Sequence, residues 1–140
     1  MGVGLDLAPQ VNPYRRRMHI TDLARASGVT VKALRYYEAR GLLKPDRAAN
    51  GYREYDAQDV QVVREVRTLQ SLGLTADETV PFVECLRSGH ERADVCPGSL
   101  DAYRARIAEI DDRIAELWEL RGRLRDLLLD AESHSRKEPA

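Results

Sequence analysis

The stretch SLDAYRARIAEIDDRIAELWELRGRLRDLLLDAES, near the C-terminus, restricts the possible folds more than any other feature of the chain. Tyr103, Ile107, Ile110, Ile114 and Leu117 recur at alternating spacings of four and three, and Leu120, Leu124, Leu127 and Ala131 resume the pattern after one step of three. This is the seam of a coiled coil with one stammer between Leu117 and Leu120. Ser99 is the expected cap, and a helix of about 30 residues at ~1.5 Å rise is roughly 45 Å long. A chain of 140 residues holds one modest core, too small to cover such a seam. The expected partner is the same helix of a second copy, in an antiparallel coiled coil, with a parallel pair as the alternative. Folding back onto the chain's own head is the less economical arrangement.

The net charge of −1 conceals an uneven distribution. Ten basic residues stand against three acidic ones between Tyr14 and Arg53, giving +7 and leaving −8 for the remainder. A basic block on an acidic platform is the footprint of a module that binds a polyanion. No run of eighteen apolar residues occurs, and the opening MGVGLDLAPQVNPYRRR has its basic cluster after its few apolar residues, the reverse of a signal peptide. The expectation is a cytoplasmic protein with no membrane partner. Two cysteines in that compartment are poor grounds for a structural disulfide. Lacking a Cys-x-x-Cys, a nucleophile elbow, a phosphate loop or a paired acid cluster, the sequence does not read as an enzyme.

Residues 1–17 show no periodicity and are expected to form a flexible arm. In ITDLARASGVTVKALRYYEARGLL, Thr21 can cap a short helix, Gly28 supplies a turn, Thr30 caps a second helix and Gly41 stops it. This is a helix-turn-helix pattern. Pro45, Asn50 and Gly51 then mark a hairpin loop, and YREY alternates aromatic with charged residues as a short strand does, so a wing follows. Val60, Val63, Val66 and Leu69 make the apolar stripe of a helix from Ala57 to about Leu72. Thr75 and Glu78 form a capping box for another, in which Pro81 implies a bend or a later start. The fold class is therefore mainly α, with a winged helix-turn-helix DNA-binding head and following helices (18–88), a connector loop (89–98), a long C-terminal antiparallel coiled-coil dimerisation helix (99–132) and a disordered tail (133–140).

Lys32, Arg35 and Tyr36 can share one exposed face of the second helix, where positive charge meets phosphate and a helix fits the major groove of double-stranded DNA. Thr30, the cap, is grouped with them. Tyr37 points partly to the other side, toward either the wing or a phosphate. Arg47 and Arg53 are placed to grip backbone or minor groove, and Asn50 with Gly51 lets the loop approach closely. Tyr52 and Tyr55 can contact sugar and phosphate, or one of them can belong to the core, and Leu34, Leu42 and Leu43 are expected in the core by type.

With LRYYEARGLL and GYREY at this separation, the stretch TVKALRYYEARGLLKPDRAANGYREY resembles the MerR family of transcriptional regulators, over about Met18 to Ala131. The resemblance implies that Tyr36, Tyr37, Tyr52 and Arg53 face DNA. It also implies a dimer on a nearly palindromic operator, which bends and underwinds an overlong promoter spacer so that RNA polymerase can engage both promoter elements. A seam this long argues against the second class considered, a small architectural factor of the excisionase kind. Metal-sensing members carry a cysteine near the start of the dimer helix, about where Cys96 stands, and a ligand loop after that helix, where this chain offers at most His134.

No cofactor is firmly implied, and Cys85, His90 and Cys96 leave three readings open. Cys85 and Cys96 can be a redox pair, Cys96 gaining thiolate character just before a helix start. The three residues can bind zinc or a similar ion, given a fourth ligand. Or Cys85 is a small core residue and Cys96 an inert one.

Overall fold

The computed structural model describes residues 17–49 and 51–137, and in it helix α1 (Ile20–Ser27) leads into helix α2 (Val31–Ala39). Gly28 turns the chain between them at φ 73°, a left-handed conformation natural to glycine. Thr30 caps α2 as expected, its hydroxyl accepting from the Ala33 amide at 3.1 Å. The cap expected at Thr21 does not form. Helix α1 starts earlier, and Asp22 reaches back to accept from the His19 amide at 3.2 Å.

Leu42 and Leu43 are buried, and the wing follows them: β1 (Asp46–Arg47) pairs antiparallel with β2 (Arg53–Glu54), Asp46 opposite Glu54 and Arg47 opposite Arg53. Met18 and Tyr55 exchange backbone hydrogen bonds at 2.8 and 2.9 Å, so the segment entering α1 adds a third edge to the wing. Arg17 joins Glu54 at 2.8 Å. The last residue of the expected flexible arm is thus anchored, while residues 1–16 lie outside the described residues.

Helix α3 (Ala57–Ser71) begins at a reciprocal cap that the sequence reading missed, the Asp59 amide donating to Asp56 Oδ1 at 3.1 Å and the Asp56 amide to Asp59 Oδ2 at 3.0 Å. Val63, Val66 and Leu69 are buried as expected, but Val62 takes the place assigned to Val60. On a helix of 3.6 residues per turn, each step of three drifts by about 60°, so Val60 falls on the side opposite Leu69. Thr75 and Glu78 do cap each other's amides, at 2.8 and 3.2 Å, over a 3-10 turn (Asp77–Thr79). Helix α4 (Val80–Arg87) starts after that turn, with Pro81 in its first turn, where the missing N–H leaves no bond unmade. Leu23, Leu34, Val63, Val66 and Phe82, one or more from each of these four helices, are fully enclosed.

Helix α5 (Pro97–Lys137) has 41 residues, on the order of 60 Å at ~1.5 Å per residue. It starts before Ser99, whose hydroxyl donates instead to the Ala93 carbonyl at 2.6 Å. It also runs on through residues 133–137, expected as a disordered tail, where His134, Arg136 and Lys137 suit the negative end of the helix dipole. The unit from Tyr103 onward stands as a helix on its own. Tyr103 is half-buried, whereas Ile107, Ile110, Ile114, Leu117, Leu120, Leu124 and Leu127 are between 41% and 67% exposed.

Wing and helix α2 are locked by one carboxylate: the buried Tyr55 hydroxyl donates to Glu38 Oε1 at 3.0 Å, and Arg53 pairs with Glu38 Oε2 at 2.9 Å. Burial, then the bond to Glu38, pushes the Tyr55 phenol up to about 12 from the ordinary 10.0. The unfolded chain therefore loses this proton first as pH rises. The stability that comes from keeping Tyr55 neutral is complete below pH 10 and is lost as pH climbs toward 12. Tyr55→Phe should cost about 1–2 kcal/mol at neutral pH, because Glu38 loses a donor, and the difference from wild type should shrink between pH 10 and 12. Urea unfolding across that range checks it; a constant difference would remove Tyr55 from the lock.

Candidate nucleic-acid interface and thiol site

Helix α2 turns Leu34 and Tyr37 into the core, which leaves Lys32, Arg35 and Tyr36 exposed together on its other side. Neither Lys32 nor Arg35 is paired with an acidic group among the described residues. The Arg40 guanidinium lies 5.1 Å from the centre of the Tyr36 ring and is itself held by Asp77 at 3.2 Å, which fixes the ring's attitude. Arg35 also lines a groove with His19, Ile20 and Thr21 at the start of α1 and with Tyr52 and Arg53 of the wing. This groove joins helix and wing into one basic surface that presents planar donors suited to phosphate or base edges.

Within the wing, Arg47 donates to the Gly51 carbonyl at 3.0 Å and so braces the loop, and Gly51 adopts φ 87°. Asn50 lies outside the described residues. Tyr52 is exposed and Tyr55 is in the core, which settles the choice between them. Tyr37 is corrected: it is 5% exposed, and its hydroxyl donates to Gln70 Oε1 at 2.8 Å. Burial raises its phenol above the ordinary value, and its place is the seam between α2 and α3 rather than the DNA face. Glu38, which aligns Arg53, was missed by sequence reasoning, because its role depends on the wing folding over α2.

The connector brings all three effector candidates together. Pro81 and Cys85 lie one turn apart on α4, and the first turn of α5 packs against them. At Gly98, a side chain would fall 3.2 Å from Pro81 Cβ, an approach that glycine permits. That contact sets Cys96 over Cys85, and the two form a disulfide with their Cα atoms 6.0 Å apart. Of the three readings left open by the sequence, the paired one is the arrangement seen here, and the Gly98–Pro81 approach, invisible in spacing, supports it.

Cys85 Sγ lies 3.6 Å from the Arg92 carbonyl, an acceptor for its proton once the bridge is reduced. Arg92 in turn grips Asp94 through two bonds of 2.9 Å and holds that carboxyl below its ordinary range. Burial, with Asp94 nearby, raises Glu65 on α3. His90 is exposed, and its ring reaches the pair: one donor atom from each of Cys85, His90 and Cys96 falls within 4.8 Å of the others. His134 is engaged within its own helix, its Nδ1 2.9 Å from the Asp130 carbonyl.

On α5 the exposed Ile114, Leu117 and Trp118 form a shallow cleft with Arg121, whose guanidinium lies 4.3 Å from the indole centre. Trp118 lies beside the seam rather than on it, which is why heptad reasoning passed over it.

The basic surface makes a prediction about salt. Arg35→Ala should weaken operator binding at least about tenfold and lower the salt slope by about one, as expected for a lost phosphate contact, whereas Tyr37→Phe should leave that slope unchanged. Fluorescence titrations over a salt series check both. Unaltered binding by Arg35→Ala would take this residue out of the interface.

Residues 18–79 match the family described as MerR HTH family regulatory protein. The HTH-type transcriptional regulator HmrR of Rhizobium leguminosarum bv. viciae is 36% identical over 111 residues, 79% of this chain and 84% of the relative. CueR of Escherichia coli O157:H7, also an HTH-type transcriptional regulator, is 34% identical over 109 residues, 76% of this chain and 78% of CueR. The nodulation protein NolA of Bradyrhizobium elkanii is 36% identical over 124 residues, but the chain spans only 52% of its length. Among solved structures, PbrR691 from Ralstonia metallidurans CH34 in complex with lead(II) is similar at a TM-score of 0.59 and 28% identity, over 79% of this chain and 84% of that one. HiNmlR, a MerR family regulator lacking the sensor domain and bound to promoter DNA, shares the fold at a TM-score of 0.52 and 24% identity, over 87% of this chain and 88% of that one. On the strength of the matched head and of relatives covered over most of their length, the chain belongs to the MerR family of helix-turn-helix transcriptional regulators.

Proposed function

We propose that the chain works as a cytoplasmic homodimer on a nearly palindromic promoter operator, and that it governs transcription by bending and underwinding the spacer that RNA polymerase must engage. The observation that carries this reading is the groove where Arg35 of α2 meets Tyr52 and Arg53 of the wing, with Lys32 exposed on the same helix and a sealed core behind. A rigid head of this kind can impose a shape on DNA as well as bind it. Two heads are needed to twist a spacer, and the exposed seam of α5 is suited to pairing with a second copy.

The effector in this reading is thiol oxidation. A hydroperoxide takes two electrons from Cys85 and Cys96, whose thiols lose two protons as the S–S bond forms. The peroxide O–O bond breaks, and its oxygens leave as an alcohol and water. Closing the bridge fixes the first turn of α5 on α4, and opening it frees that joint. In a dimer the joint of each chain would decide how the two recognition helices meet the DNA. A second reading, a metal-responsive regulator, draws on the Cys85, His90 and Cys96 donors and on the lead complex of PbrR691.

Dimerisation is tested at Ile114, which is 47% exposed in the single chain and so contributes nothing to the core of the head. Ile114→Asp should give monomers in sedimentation, keep the helical content of the head by circular dichroism, and lose operator binding by a hundredfold or more, since two linked sites become one. A variant that remains dimeric and still binds the operator contradicts the seam.

A further inference from the structure

We propose that the reduced connector is a binding site for a zinc-type divalent cation, with Cys85 Sγ, Cys96 Sγ and a ring nitrogen of His90 as ligands and the fourth position open. Metal and disulfide are then alternative occupants of one site. The exclusion of one by the other rests on the thiol reading above, while the binding of the metal does not.

The donor set is chemically consistent. Thiolate and imidazole are the ligands that borderline and soft cations prefer, and magnesium or calcium would find no oxygen among the three. Two thiolates neutralise a dication, so a complex with His90 carries no net charge in a place where Cys85 is 2% exposed. Zinc–sulfur bonds of about 2.3 Å and zinc–nitrogen bonds of about 2.0 Å in a tetrahedron require donor separations of roughly 3.6–3.8 Å. The donor atoms already lie within 4.8 Å of one another, and the Cα separation of 6.0 Å leaves rotation about the Cys85 and Cys96 side chains as the only adjustment needed for the sulfurs to part.

The surrounding chain holds these positions without using the ligands. Gly89, at φ 98°, turns the chain just past α4 and brings His90 back toward Cys85. The Cys96 carbonyl accepts from the Ser99 and Leu100 amides at 3.0 and 3.2 Å, so the backbone of Cys96 is fixed at the N-terminus of α5. Asp94, the acidic neighbour that could close the fourth position, is clamped by Arg92 through two bonds of 2.9 Å. The open position is left to water, a small ligand or the neighbouring Glu91, which is exposed. This site differs from the arrangement that the family resemblance implies, since it is complete within the stretch before α5 and uses nothing beyond that helix.

Oxidation of the loaded site balances as follows. The two thiolates give two electrons to a hydroperoxide and join as a disulfide; with two protons taken up, the peroxide leaves as an alcohol and water. With two of its three protein ligands joined to each other, the site no longer holds the cation.

The test uses the full chain, reduced with a phosphine and freed of metal, titrated with cobalt(II) as a spectroscopic probe and then with zinc. The expected result is one cobalt per chain, with thiolate-to-cobalt charge-transfer absorption that zinc abolishes. Cys96→Ser should lose most of that absorption and His90→Ala should bind at least tenfold more weakly. Because Cys85 is buried, Cys96→Ser and His90→Ala, both at more exposed positions, carry the test should Cys85→Ser fail to fold. Zinc should also slow disulfide formation by hydrogen peroxide at least tenfold, and less so in His90→Ala. Reduced protein without charge-transfer absorption, or absorption that survives His90→Ala and Cys96→Ser alike, overturns the site. A disulfide that forms readily in protein unable to bind cobalt would sink the metal site and leave the thiol reading standing, and cobalt binding without peroxide-driven disulfide would do the reverse.

Discussion

Along about 60 Å of helix α5, Ile107, Ile110, Ile114, Leu117, Leu120, Leu124 and Leu127 meet water in the single chain, and each square ångström of that surface covered by a partner is worth roughly 25 cal/mol. A stripe this long and narrow is suited to another helix, and the proposed partner is a second copy of the same one. In the proposed dimer the paired helices would set the separation of the two heads. The proposed action on promoter DNA depends on that separation, because twisting a spacer requires two points of grip.

Within each head, Glu38 has a similar organising effect at a smaller scale. It accepts from Tyr55 at 3.0 Å and pairs with Arg53 at 2.9 Å, so the wing cannot shift without disturbing the recognition helix on which Glu38 sits. Arg53 is thereby oriented within the single chain, which in the proposed DNA contact would reduce the side-chain entropy lost on binding. On the other side of the head, Arg64 donates to the Ala26 carbonyl at 2.9 Å and Arg87 to the Leu42 carbonyl at 3.1 Å, tying α3 and α4 to the ends of the helix-turn-helix. The connector between α4 and α5 leans on the same framework, since Cys85 and Pro81 belong to α4.

Local chemistry was the legible part of the sequence. The Gly28 turn, the Thr30 cap, the Thr75–Glu78 box and the long C-terminal helix all rest on local sequence signals, and each appears where those signals put it. The misses arose where the answer depended on elements distant in sequence. Tyr36 and Tyr37 are adjacent and chemically identical, and only the position of Gln70 on α3 makes one a core residue. The Asp56–Asp59 cap uses aspartate where the usual signature has serine or threonine with glutamate, so it raised no signal. The extension of α5 past Glu132 follows from favourable charge at its end, which periodicity of apolar residues does not register. The pairing of Cys85 and Cys96 was one of three readings the sequence left open, and the choice among them depends on a glycine in one helix fitting against a proline in another.

In the proposed mechanism, the state of the Cys85–Cys96 bridge changes what the bound dimer does to the promoter rather than whether it binds. The most direct measurement is transcription in vitro from an operator-bearing promoter, in metal-free buffer and at saturating occupancy, comparing the disulfide form with the same protein reduced by a phosphine. Equal footprints on the operator with transcript yields differing severalfold are expected, and Cys96→Ser should erase the difference. Equal yields from the two forms at equal occupancy would contradict the claim.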